Sequence, residues 1–390
     1  MKLWTRLCIV MFTAFWAVAA QADDLADRTA AFRNALEAAR TEIGFPGATA
    51  AFVLSDGRAA SVAVGVADKA ARQPMPADAR MMSGSTGKTY AAAVALALSR
   101  RGRLNLDAPI TRYLGKPDWL TRLPNIDHIT VRQLLMHRSG LRDHVDAPEF
   151  GLALMKQAKS APDTALTPQQ CIAFLVGQPA LFEPGQGYAY SDTGYLLAGL
   201  VIEAATKRRF YDLADALFIG PLKLRATTPA DTRRQRDLVQ GYPQWPDGAP
   251  LPETILEAPG LLRWNPASEW TGGGYVTSAR DAAVWAHALY GGRAMRGRYL
   301  SDLLRAEPIA ANSQQRYGLG VSIAPSPWGP LYGHSGYYPG YRSDLAYFTH
   351  LDIAVAFQIN TEIGVRSGKV LDRIRNALVA TLVSQPARKH

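Results

Sequence analysis

Cysteine is almost missing from this 390-residue chain: there are two, Cys8 and Cys171. So few exclude a disulfide-stapled scaffold and a thiolate metal centre. Charged residues are sparse at 19%, and no repeat or low-complexity tract is present, which excludes solenoids and disordered tails. No segment after the N-terminus approaches the roughly 20 apolar residues of a membrane helix. His128, His137 and His144 lack a recognisable ligand spacing, so neither a metal nor another cofactor is expected.

What the chain does have begins at its start. Lys2 and Arg6 precede an apolar run from Leu7 to Ala20, and Ala20-Gln21-Ala22 offers a small-residue cleavage site before Asp23. This order reads as a secretory signal over residues 1–22, and it predicts a periplasmic or secreted protein with no stable membrane span after cleavage. Cleavage leaves Cys171 alone, so stability has to come from core burial. The formal charge of +10 falls to +8 without Lys2 and Arg6. The basic residues are scattered, which favours attraction to an anionic cell envelope over nucleic-acid binding.

Residues 25–42 carry a helical apolar pattern, and the runs Ala48–Leu54 and Ala59–Val66 flank Ser55-Asp56-Gly57, a hairpin signal. From Thr86 to about Leu289 the pattern is mostly helical, with long Pro/Gly-rich loops. Strands are expected again at 318–324, 344–349 and 353–359, then an amphipathic helix near 370–382. Strands at both ends and helices between them predict an α+β fold. Its antiparallel sheet is built from both termini (residues 23–85 and 290–390) and flanked by helices, with a large, mostly helical insert at 86–289 and the active site between them.

Ser85 and Lys88 stand one helical turn apart at the head of an apolar helix that has no charge before Arg100. Positions i and i+3 share a helix face, so hydroxyl and amine can meet. Burial of the amine favours its neutral, proton-accepting form, and the first-turn N–H groups suit an oxyanion. Gly87-Lys88-Thr89 also matches the end of a phosphate-binding P-loop, but that motif requires glycine where Met82 stands. It also requires a preceding strand, for which Arg80-Met81-Met82 is a poor candidate. The acyl-transfer reading is therefore preferred.

Two further segments supply partners. The loop Glu183–Tyr195 presents Tyr190, a phenol able to relay protons, whereas Tyr188 and Tyr195 are read as packing residues. Gly333-His334-Ser335-Gly336-Tyr337 offers an imidazole able to donate a hydrogen bond or carry charge near neutral pH. There Gly336 would permit close substrate approach, and Tyr337 would lend a second oxyanion N–H.

Together these motifs, with Leu134–Leu141 and Gly272–Asp281, resemble the serine β-lactamase-related family: class C β-lactamases, D-Ala-D-Ala carboxypeptidases, D-amino-acid peptidases and lactamase-like esterases. The resemblance spans about residues 25–380. It implies a β-lactamase-like fold, Ser85 as acylated nucleophile, Lys88 as its activating base and Tyr190 as the family's Tyr-x-Asn tyrosine. His334-Ser335-Gly336 matches the Lys-Thr-Gly element. The segments holding His137 and Asp107 usually serve architecture. Asp192 stands where Asn is typical and would repel an anionic substrate, and His334 replaces a permanent cation. Arg342 is near enough in sequence to restore positive charge for a substrate carboxylate. Ser191-Asp192-Thr193 offers a competing register, the Ser-Asp-Asn of class A enzymes, but no Glu-x-x-Leu-Asn segment accompanies it, so Tyr190 is preferred.

The expected activity is an exported serine hydrolase working through an acyl-enzyme. Its expected substrates are small molecules or peptidoglycan peptides of the D-Ala-D-Ala type and related amides, then esters, then β-lactams. The non-enzymatic alternative is a sensor that acylates without turnover.

Overall fold

The computed structural model describes residues 2–245 and 252–383, with side chains from residue 23 onward, so the side chains of the expected signal lie outside the described residues. Helix α1 (Lys2–Ile43) is followed by strands β1 (Gly47–Val53) and β2 (Ala59–Asp68). Gly57 turns the hairpin between them at φ +86°, a conformation that favours glycine. Strand β3 (Arg80–Met82) runs into a 3-10 turn at Gly84–Gly87 and then helix α2 (Lys88–Arg100). Helices α3 (Val131–Leu135) and α4 (Asp192–Thr206) follow, then strand β4 (Tyr275–Ser278) and helix α5 (Ala279–Tyr290). The chain closes with β5 (Ser322–Ala324), β6 (Leu331–Tyr338), β7 (Tyr341–Phe348), β8 (Ile353–Ile359) and helix α6 (Gly368–Val383).

Among the described residues, one antiparallel sheet has nine strands in the order Gln73–Pro74, β2, β1, β8, β7, β6, β5, Arg316–Tyr317, Glu307–Pro308. The two termini meet at its centre, where β1 pairs with β8 from Ala48↔Ile359 to Val53↔Ala354. Both strands are buried along their whole length, because helices cover both faces. Ala354 and Ala356 belong to the core on the α5 side, while Val355 and Phe357 join Phe32 of α1 and Leu378 of α6 on the other. Each such large side chain removed from water contributes about 1.5–3 kcal/mol.

Three details differ from the sequence expectation. Arg80–Met82 is a strand after all, short but paired with β4 from Arg80↔Ser278 to Met82↔Val276. Of the segment expected to be a strand at 318–324, only Ser322–Ala324 is extended; Gly320 takes φ +61° and presses its backbone on Ala92 of α2. Ser85 sits in the 3-10 turn rather than in the helix proper. No helix among the described residues is long and apolar enough to cross a membrane.

Candidate active site

The turn carrying Ser85 is clamped from two sides. Ser83 donates its N–H to Tyr275 O at 2.8 Å and its hydroxyl to Gly273 O at 2.8 Å, both at the start of β4. From the sheet, Ser343 Oγ donates to Ser83 O at 2.5 Å. Gly84 takes φ +51°, and a Cβ there would lie 2.6 Å from Tyr337 N, so the turn is pressed onto β6. Strand β5 pairs with β6 only as far as Gly333, which leaves His334–Tyr338 an open edge facing Ser85. The Ser85 and Tyr337 amides thus lie on adjoining backbones. Gly336 belongs to the same clamp: a Cβ there would run into Ser83 O and Ser343 Oγ. Its smallness serves internal packing, not the substrate approach expected from sequence.

Lys88 is fully buried. Its ammonium donates to Ser85 Oγ at 3.0 Å and to Gly272 O at 2.5 Å, and it forms a close ion pair with Asp192 Oδ1. The rings of Tyr190 and Tyr195 lie 5.0 and 5.2 Å from Nζ. The amine expected to stand alone in its buried pocket is instead paired with Asp192. Asp192 is placed by its own helix: Ser191 caps α4 through Gly194 N, and Asp192 N donates to Asp143 Oδ2 at 2.8 Å. Burial and the Asp192 charge push the Asp143 carboxyl well above the usual carboxylate range. The same two causes push Glu269 up to about 8.

Tyr190 is 38% exposed at the cavity side, yet its phenol interacts with Ser85, and desolvation of that phenol, followed by the Asp192 charge, raises it well above the ordinary tyrosine value. The Tyr190 register therefore fits the geometry. Ser191, the rival, is buried and spends its hydroxyl on Arg142 O at 3.1 Å and on the α4 cap.

His334 departs from expectation. Its Nε2 meets Tyr317 Oη at 2.7 Å and its Nδ1 meets Ser335 O at 2.6 Å, so no ring nitrogen is left for a substrate. Burial, followed by the charge of Lys88, pushes it down to about 4, so it is uncharged at neutral pH. Ser335 is exposed, pairs with Asp344 across the β6–β7 ladder and lines the same cavity as Tyr190 and His334. Arg342 occupies the opposite side of β7 from Ser343, with its guanidinium 5.8 Å from the Tyr337 ring centroid. A cavity of about 320 Å³ adjoins Tyr190, Tyr317, His334 and Ser335 and reaches Asp372 and Arg375. Arg375 is already bound to Asp344 (2.7 and 2.8 Å) and Asp372 (2.8 Å).

Sequence reading missed the Gly272 carbonyl, Asp143 and Tyr317. Gly272–Gly274 was visible as a glycine run, but nothing marked Tyr317. Tyr195 is buried and donates to Leu135 O at 2.8 Å, while Asp107 is bound by Arg132 (2.6 and 3.0 Å), away from Ser85.

A buried lysine, a serine and a tyrosine gathered at an open strand edge form an arrangement able to carry out acyl transfer. The chain belongs to the Beta-lactamase family, whose model matches residues 32–380. Among curated proteins it is 28% identical to Esterase EstB of Burkholderia gladioli over 82% of this chain and 86% of that one. It is 26% identical to a D-aminopeptidase of Brucella anthropi over 83% of this chain and 61% of the relative. Among solved structures, a D-stereospecific amidohydrolase from Streptomyces sp. superposes with TM-score 0.76 at 27% identity, covering 92% of this chain and 99% of that one. D-amino acid amidase from Ochrobactrum anthropi SV3 gives 0.74 at 25%, covering 91% and 98%. The family is of serine-hydrolase type, with esterase, aminopeptidase and amidase relatives.

Proposed function

We propose that this protein is an exported serine hydrolase that forms an acyl-enzyme at Ser85 and acts on acyl donors without a carboxylate, foremost amides of D-amino acids. The observation that carries the substrate class is electrostatic. The charge of Lys88 is neutralised by Asp192, His334 is uncharged, and Arg375 is held by two carboxylates. None of these three groups offers a free positive charge to a substrate carboxylate, as in D-Ala-D-Ala peptides and β-lactams. The amidohydrolase and amidase relatives support the same class, and EstB supports esters as the second reading. The signal-like residues 1–22 support export.

In this reading, the Lys88–Asp192 ion pair of the free enzyme passes a proton from ammonium to carboxylate as substrate enters, which leaves Lys88 a free amine. The Lys88 amine then takes the Ser85 proton as Oγ attacks the acyl carbon. The tetrahedral oxyanion is held by the Ser85 and Tyr337 N–H groups. Tyr190, a neutral phenol, gives its proton to the departing nitrogen or oxygen and recovers one from Lys88. Water, deprotonated through Tyr190, releases the acid and regenerates Ser85.

Purified protein assayed with D-alanine amide, p-nitrophenyl butyrate, an N-acyl-D-Ala-D-Ala peptide and nitrocefin tests the proposal. The amide or ester is expected to exceed both carboxylate substrates in kcat/KM by about tenfold or more, one uncompensated charge contact. A preference for the D-Ala-D-Ala peptide contradicts it, and stable labelling by a fluorescent penicillin without turnover favours the sensor. Asp192→Asn adds one net positive charge beside Ser85. It is expected to raise the nitrocefin-to-butyrate ratio of kcat/KM by about tenfold, and an unchanged ratio would remove Asp192 from the specificity argument.

A further inference from the structure

The segment Leu134–Leu141 has no part in the chemistry so far, yet its histidine sits in an expensive conformation. His137 takes φ +56° just past the end of α3. There Arg138 N donates to Gln133 O at 2.8 Å and His137 N to Leu134 O at 3.2 Å, the paired bonds of a Schellman cap. Glycine normally fills that position, because a side chain there crowds the following carbonyl. The side chain of His137 therefore offers something glycine cannot.

Its ring is buried and lies 4.1 Å, centroid to centroid, from that of Tyr190. Nδ1 accepts from Ser191 N at 3.1 Å, between Tyr190 and Asp192. Nε2 meets Tyr317 Oη at 3.2 Å, and Tyr317 Oη meets His334 Nε2 at 2.7 Å. The proton order along this chain is fixed by its two backbone ends. Ser191 N–H can only donate, so His137 Nδ1 is bare and Nε2–H donates to Tyr317. Ser335 O can only accept, so His334 carries its proton on Nδ1 and Nε2 is bare. The Tyr317 hydroxyl proton then points at His334. Every group is satisfied, in one direction, with both imidazoles neutral.

We infer that His137, Tyr317 and His334 form a directional hydrogen-bonded strut that holds the Tyr190–Asp192 loop and the open edge of β6 in catalytic register. The strut spans two remote segments: one end is an amide next to Tyr190, and the other is the carbonyl two residues before the Tyr337 N–H. None of its members touches the reacting atoms; they act as positioning residues. The inference rests on Ser85 being the nucleophile.

Acid breaks the strut. A proton on His334 Nε2 leaves Tyr317 oxygen facing two N–H donors and turns its own proton away from its acceptor. The groups facing His334 are Tyr317, Tyr190, Lys88 and Asp192; those facing His137 are Tyr188, Tyr190, Tyr195, Tyr317, Lys88 and His334. His334 is held down to about 4, so the native strut persists to about that pH. Unfolded histidine titrates near 6.5. Between those values the unfolded chain binds more protons, so stability declines as pH falls from about 6.5, while strut-dependent activity declines only near 4.

The test compares Tyr317→Phe, His137→Leu and His137→Gln, each with kcat, KM and a pH profile on p-nitrophenyl butyrate, alongside thermal melts and Ser85→Ala. Glutamine can accept from Ser191 and donate to Tyr317 without titrating. Tyr317→Phe and His137→Leu are expected to lower kcat about 10–100-fold with KM within about threefold. Tyr317→Phe should also raise the acid limb by about one pH unit, since the bare His334 Nε2 loses its donor. His137→Gln is expected to restore most of kcat. Lowered melting temperatures with kcat and the acid limb unchanged in folded Tyr317→Phe and His137→Leu would reduce these residues to packing and overturn the inference. Full activity of Ser85→Ala would instead overturn the nucleophile assignment.

Discussion

Ser85→Ala is expected to lower kcat/KM by about 10⁴–10⁶-fold on every amide and ester, because without Oγ no acyl-enzyme forms and only binding and the oxyanion donors remain. The protein should otherwise be unaltered. Ser85 is partly exposed, and without its hydroxyl Lys88 keeps Gly272 O and Asp192 as acceptors. A near-native melting temperature with lost turnover therefore separates chemistry from folding. Lys88→Ala should lose as much activity but also stability, because it strands the Asp192 carboxylate beside Asp143 and Glu269. Equal activity of wild type and Ser85→Ala on all substrates would contradict the assignment.

Gly336→Ala should damage stability and turnover together. The added Cβ would meet the Ser83 carbonyl and the Ser343 hydroxyl, which are themselves joined by a 2.5 Å hydrogen bond. Neither neighbour is the free end of a flexible chain: one is backbone in the nucleophile turn, the other a short side chain on β7. To relieve the overlap, the Ser85 turn has to separate from β6, moving the Ser85 and Tyr337 amides apart. Overpacking of this kind costs about 3 kcal/mol, and a displacement near 1 Å costs about 10²-fold in rate. Circular dichroism melts and ester kinetics on Gly336→Ala measure both. Wild-type kcat with an unchanged melt would show that turn and strand are not interlocked.

What was legible in the sequence followed from periodicity and from chemistry carried by single residues. The apolar run Ile353–Ile359 announced the central strand because both its faces are covered. Ser85, Lys88 and Tyr190 were recognisable because each needs a particular functional group, and the fold brings them together. What failed was environment. Arg80–Met82 is too short to show an alternating pattern, and only its pairing with Tyr275–Ser278 makes it a strand. His334 read as a titrating group because its captors, Tyr317 and its own neighbour's carbonyl, are set by tertiary structure. Asp192 read as a free repelling charge, although the lysine it neutralises lies 104 positions earlier in the chain. Gly336 showed as a glycine, but the atoms that demand it come from positions 83 and 343.

The central claim is that Ser85, activated by Lys88 and Tyr190, is the atom acylated. Quenching the protein within its first turnovers on p-nitrophenyl butyrate, digesting it and mapping the added mass tests this most directly. A butyryl group is expected on the peptide containing Ser85, slower to appear in Lys88→Ala and Tyr190→Phe and missing from Ser85→Ala. A butyryl group on any other residue that turns over at the rate of ester hydrolysis would contradict the account.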